Sequence, residues 1–226
     1  MRQLFLPITW KVSNSVADFV VNECNKYAFE MLNKWPDEIQ QRIVCLIGET
    51  GSGKTHLANL WADKNKATFL CHSDLFNAVM AISDEQSHNK CYILDDADEI
   101  EDKMLIYYIY NTISEKSVFL LMTSKSDPCK WEIDLADIRS RLSTITKVNI
   151  QNPTDDAMVY ILKKLLNRIG ILANEDILSY ITNRIERTYD AIHKVIEMLS
   201  QSIAYKKHKL NMEIVREIFR EQFTKN

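Results

Sequence analysis

Five apolar runs of four or five residues recur through the first 150 positions: IVCLI (Ile43–Ile47), ATFL (Ala67–Leu70), CYIL (Cys91–Leu94), VFLLM (Val118–Met122) and TKVNI (Thr146–Ile150). Each shows little alternation and is followed by polar turn residues and then by a helical pattern. Such runs suit strands covered on both faces, and their alternation with helices predicts a doubly wound α/β fold with a five-stranded parallel sheet. Ahead of them, Ser13 to Trp35 offers Ser and Asn caps and helical spacing of Val16, Phe19, Val20, Ala28, Met31 and Leu32, so a helix ending before Pro36 is expected. After Pro153 the strand pattern stops. Helices are expected over Asp155–Ile169, Glu175–Arg184, Tyr189–Tyr205 and Met212–Phe223. The pattern divides the chain into an N-terminal peptide (1–10), an α/β domain (11–151) and a small all-helical domain (152–226).

Composition narrows the class without naming a function. With 226 residues, 46% hydrophobic and 26% charged, the chain has the make-up of a folded globular protein. A net charge of −3 supplies no large positive field for nucleic acid or anionic lipid, and the basic run YKKHK (Tyr205–Lys209) reads as a solvated helix face. Cys24, Cys45, Cys71, Cys91 and Cys129 lack the paired spacing of zinc or redox motifs, and three of them fall in or beside apolar runs as core thiols. No stretch reads as a signal peptide or reaches membrane-spanning length, so a cytoplasmic protein with no membrane partner is expected.

Glycine changes the picture most. The chain has only four, and Gly48, Gly51 and Gly53 all fall in GETGSGKT (Gly48–Thr55), between the run IVCLI and the helical segment opening at His56. This matches G-x-x-x-x-G-K-[ST] in its strand–loop–helix setting. Backbone N–H groups at Gly48, Gly51, Ser52 and Gly53 would curl around phosphates, Lys54 would reach the β and γ oxygens, and Thr55 would ligate Mg2+. ADP or ATP is the expected cofactor.

Such a site needs a carboxylate at a neighbouring strand end, and CYILDDADEI provides Asp95 for the metal and Asp96 where a base can orient water. Thr123 and Ser124, ending VFLLMTS, are placed for a γ-phosphate contact or for a simple strand-end turn. In DLADIRSRLS, Leu135, Ile138 and Leu142 form an apolar helical face. Arg139 and Arg141 then point outward, as solvated side chains or as a finger for a neighbour's site.

Taken together, GETGSGKTHLANL, ILDDAD, LLMTS and DIRSRL resemble the AAA+ module of the DnaA/Hda family of replication proteins, over nearly the whole chain. The resemblance implies an AAA+ P-loop NTPase core followed by a helical lid, with Phe19 and Val20 bordering adenine. It further implies that Arg141 is an arginine finger and that Arg187, in ERTYDAIHKVI, is the lid arginine called sensor II. Asn22 stands where the family's F-V-V-G has glycine, and Lys125 where aspartate follows T-S. Asp95-Asp96 is similar to the DnaA pair, so hydrolysis by the chain itself stays open.

The opening QLFLPI corresponds to a Q-L-x-L-P-L clamp-binding peptide found in the shorter, Hda-type members. An extended peptide can seat Leu4, Leu6 and Ile8 in apolar pockets while Gln3 anchors one end and Pro7 stiffens the segment; the other reading is a strand docked on the chain's own sheet. The chain ends at Asn226 with the helical segment, where DnaA continues into a DNA-binding domain, so no sequence-specific DNA binding is expected. The resemblance thus implies an Hda-like regulator with DnaA and the DNA polymerase sliding clamp as partners, homodimer formation staying open. The alternative is a stand-alone AAA+ ATPase that loads helicases, or a DnaA-like replication factor.

Overall fold

The computed structural model describes residues 19–83, 90–116, 118–133, 136–206 and 210–223. The expectations for Gln3, Leu4, Leu6, Pro7 and Ile8, for Asp134 and Leu135, and for the end of the YKKHK run lie outside them.

The strands are β1 (Ile43–Ile47), β2 (Thr68–Phe69), β3 (Cys91–Leu94), β4 (Phe119–Ser124) and β5 (Thr146–Asn149), all parallel in the order β2-β3-β4-β1-β5. β1, β3 and most of β4 are covered on both faces, as their unalternating sequences require. The outer strands depart from that pattern. β2 keeps only two exposed residues of the expected four, and β5 buries Val148 but exposes Asn149, because an edge strand has a neighbour on one side only.

The helices are α1 (Lys26–Lys34), α2 (Lys54–Asn65), α3 (Leu75–Ser83), α4 (Lys103–Glu115), α5 (Ala136–Ser143), α6 (Asp155–Arg168), α7 (Glu175–Thr182), α8 (Tyr189–Lys206) and α9 (Met212–Phe223). Period-two alternation splits each inner strand between two cores. Cys45, Tyr92, Leu94, Leu120 and Met122 pack with Leu75, Ile109 and Leu142 of α3, α4 and α5. Val44, Leu46, Ile93 and Leu121 face α1 and α2, in a core continuous with Leu162, Leu178, Ile192 and Val215 of α6 to α9. Buried Trp35 stacks on Trp61 at 4.6 Å and meets Phe119 edge-on at 6.0 Å, tying the end of α1 to α2 and the sheet.

The first helix begins much later than its spacing predicts. Phe19 to Val21 are not helical, because two asparagines occupy the local backbone: Asn22 Oδ1 accepts from Cys24 N at 2.9 Å, and Asn25 Nδ2 donates to the Val20 carbonyl at 2.8 Å. Side chains that bond nearby backbone compete with helix formation, and α1 starts only at Lys26.

β1 lies between β4 and β5 and not beside β2, so the chain reverses direction across the sheet at β1. In open α/β sheets the crevice beyond the strand C-termini at such a point is where ligands sit. The glycine loop leaves β1 at that crevice.

Candidate functional site

Two glycines shape the loop. Gly51 and Gly53 have φ of +77° and +94°, a region costly for residues with a Cβ, and a Cβ on Gly53 would lie 3.0 Å from the Phe19 ring. α2 starts directly after Gly53, so its unpaired N–H groups open toward the loop. Lys54, only 5% exposed, donates from Nζ to the carbonyls of Gly48 at 2.8 Å and Glu49 at 3.1 Å. Burial lowers its pKa, while Asp96, Asp98 and Asp95 pull it back up.

Next to the loop, one side chain from the start of α2 and two from strand ends form one chain of bonds. Thr55 Oγ1 donates to Asp95 Oδ2 at 2.9 Å, and Thr123 Oγ1 donates to Asp95 Oδ1 at 2.6 Å and accepts from Asp96 N at 2.8 Å. Thr123 reaches Asp95 because β4 is the direct neighbour of β3. Burial, and then the charge of Asp95, raise the Asp96 carboxyl above its usual range. Ser124 does not join. Its hydroxyl donates to the Ser126 carbonyl at 2.6 Å, closing the turn after β4.

The remaining expected residues divide by place. Phe19 is buried, stacks on Phe29 and meets the His56 ring edge-on at 5.3 Å, so it lines the entry to α2; Val20 beside it is half-buried. Arg187, just ahead of α8, is exposed and paired with Asp155 at 2.7 Å. Arg141 lies on the other face of the sheet and does not extend freely outward. Its guanidinium donates to Asn111 Oδ1 at 2.7 Å and lies over the rings of Tyr107 and Tyr110, at 5.2 and 5.8 Å, with Asp137 3.4 Å from Nε. Arg139 is exposed.

Some members of the site were not legible. His72, after β2, bonds the Asp95 carbonyl through Nε2. Lys125, one of the sequence departures, pairs with Glu99 at 2.6 Å, and its N–H donates to Asp98 Oδ2 at 3.2 Å. His193 of α8 sits against Gly51. Only Lys125 had a signal, its place after Thr123 and Ser124; the two histidines are brought in by crossovers that no local pattern encodes.

The loop, the strand order and the helical segment after β5 define the fold as an AAA+ P-loop NTPase core with a helical lid. No family model matches the chain. An uncharacterized protein of Haemophilus influenzae is 23% identical over 230 residues, covering 96% of this chain and 98% of that protein. The chromosomal replication initiator protein DnaA of Flavobacterium psychrophilum is 22% identical over 254 residues, covering all of this chain and 52% of DnaA. The solved structure of AMPPCP-bound DnaA from Aquifex aeolicus superimposes with a TM-score of 0.72 at 17% identity, over 94% of this chain and 70% of that one. The chain is weakly similar in sequence to DnaA proteins, at 22–25% identity, and it spans about half the length of the DnaA proteins it matches.

The residues present fit a magnesium nucleotide. Ser52 Oγ is buried within the loop with no hydrogen-bond partner, and Thr55 and Asp95 already touch. Among the described residues no group of three or more His, Cys, Asp or Glu is placed to hold a metal. No helix among them is long and apolar enough to cross a membrane.

Proposed function

We propose that this chain binds an adenine nucleotide at its glycine loop and acts as an Hda-like inactivator of the replication initiator DnaA, tethered to the sliding clamp by Gln3 to Ile8. The observation that carries this reading is the separation of two cations. Lys54 is turned into its own loop, while Arg141 sits half-exposed on the α4–α5 face, across the sheet. An arginine so placed is suited to a neighbouring molecule's phosphates, and DnaA relatedness suggests which neighbour.

In the chain's own site, Lys54 and the loop N–H groups would hold the β and γ phosphates, and Thr55 and Asp95 the Mg2+. The bound nucleotide supplies a polyphosphate that fixes the loop and the lid relative to each other. Thr123 holds Asp95 and the Asp96 backbone together, which supports Asp96 as the residue that would orient water. Phe19 and Val20 would border the base, and Arg187 would have to leave Asp155 to reach the phosphates from the lid. Toward DnaA, Arg141 would leave Asn111 and meet charge spreading over the γ-phosphoryl oxygens, a contribution worth about 10³–10⁵ in turnover when supplied in trans.

The reading is tested by following hydrolysis of ATP bound to DnaA in the presence of clamp-loaded DNA, with and without this chain. Hydrolysis is expected to accelerate with the chain, and to lose that acceleration when Gln3 and Leu4 are both changed to alanine. Equal rates with and without the wild-type chain would overturn it.

A further inference from the structure

The first turn of α8 rests on the apex of the glycine loop. A Cβ built on Gly51 would lie 3.1 Å from His193 Cδ2 and 3.4 Å from both the Asp190 N and the Tyr189 Cβ. Tyr189 is the fixed part of this contact: it is 5% exposed and its hydroxyl donates to the Gln151 carbonyl at 3.3 Å. His193 is the adaptable part. It lies one helical turn beyond Tyr189, bonds the Gly51 backbone, and leaves its outer edge open to solvent.

We propose that His193 is a polyphosphate-reading residue of the lid, which gains a proton when a nucleoside di- or triphosphate fills the loop and so holds lid and loop together by charge. The proposal rests on the reading of GETGSGKT as a nucleotide site. Neither the sequence pattern nor the family resemblance singles out this histidine.

The electrostatics run in one direction. Burial against the loop lowers the His193 pKa, opposed by the Gly51 hydrogen bond and by Asp190, so the ring is neutral near pH 7 before nucleotide arrives. Asp190 is the carboxylate that faces it from its own helix, and it is paired with Lys194 at 2.6 Å. The loop side offers the Gly51 backbone, flanked by the non-titrating Thr50 and Ser52. Burial pushes the adjacent Tyr189 phenol up to about 12, so it stays neutral. A polyphosphate cradled by the loop adds several negative charges beside this ring, and opposite charge at such range favours the protonated form. The bound-state pKa then exceeds the free-state one, so affinity must rise as pH falls from above the bound value toward the free value.

Calorimetry with Mg-ADP at pH 8.0 and 6.0, in buffers of different ionisation enthalpy, reads this directly. Wild type is expected to take up a fraction of a proton on binding at pH 6.0 and to gain affinity relative to His193→Gln, by up to about tenfold if nucleotide raises the ring's titration midpoint by one pH unit. At pH 8.0 the two proteins are expected to bind alike, since glutamine keeps a hydrogen bond to Gly51 without a proton to gain. The His193 ring resonance in an NMR titration is expected to move its midpoint upward when Mg-ADP is added. Equal proton uptake and equal pH dependence in wild type and His193→Gln would overturn the inference and leave the nucleotide site standing. A wild-type chain that binds neither Mg-ADP nor Mg-ATP would overturn both.

Discussion

Lys54 and Arg141 each sit on a short helix packed against the same sheet, yet their surroundings differ in kind. Lys54 is almost wholly buried, and its partners are main-chain carbonyls of the loop it serves. Around it, Thr55, Asp95, Thr123 and Asp96 bond to one another, so the loop region is closed on itself. Arg141 is 39% exposed, and its partners are the tips of Asn111, Tyr107 and Tyr110 and the exposed carboxylate of Asp137. Exposed pairs of that kind contribute about 0–1 kcal/mol, little enough for a stronger anion to draw the guanidinium away. On the proposed reading, the difference separates a charge that serves the chain's own loop from one offered to a partner.

The sharpest way to break the comparison is Arg141→Ala. Acceleration of DnaA-bound ATP hydrolysis is expected to fall by about 10³ or more while the chain's own nucleotide affinity stays unchanged, both read on one preparation. Loss of the chain's own affinity would place Arg141 in the wrong site.

Trp35→Ala probes the platform under the loop. Removing a buried indole that stacks on Trp61 of α2 is expected to lower stability by about 3–5 kcal/mol in urea unfolding. Saturating nucleotide should recover part of that loss, because a ligand of the folded state stabilises it by mass action. Lys54→Ala is expected to weaken nucleotide binding about 10- to 100-fold, the effect of losing a charge-assisted contact of about 1.5–3 kcal/mol, without lowering the melting temperature. Retained affinity would make the loop a structural turn.

The smallest effect belongs to Lys125→Ala. A hydrogen bond from Lys125 and its charge hold the Glu99 carboxyl below its ordinary range, so the pair's contribution is present above the unfolded value of 4.5 and lost as pH falls through the folded one. Both groups are exposed, so thermal melts should differ slightly at pH 7 and draw together as pH falls below the lowered Glu99 value.

Much of this was legible because it is local. β1 and β3 fall on IVCLI and CYIL, and α9 on Met212–Phe223, since each is a run whose burial is set by its own residues. The loop was legible for the same reason: its glycines, Lys54 and Thr55 are contiguous. Asp95 and Thr123 were placed by strand ends, which a parallel sheet brings to one edge. What escaped depends on partners distant in sequence. The spacing of Phe19 and Val20 suits a helix, but Asn22 and Asn25 bond the backbone first. Arg141 reads as an outward arginine from α5 alone, and the residues that hold it, Tyr107, Tyr110 and Asn111, come from α4. His193 reaches Gly51 only because α8 folds back over the loop.

One measurement separates the two cations most directly. ATP labelled in its γ-phosphate is loaded either on DnaA alone or on this chain alone, the two proteins are mixed with clamp-loaded DNA, and release of label is followed in each case. Label on DnaA is expected to be released faster on mixing, with label on the chain released at its unmixed rate. Faster release from the chain with none from DnaA would contradict the assignment of Lys54 to the chain's own nucleotide and Arg141 to a partner's.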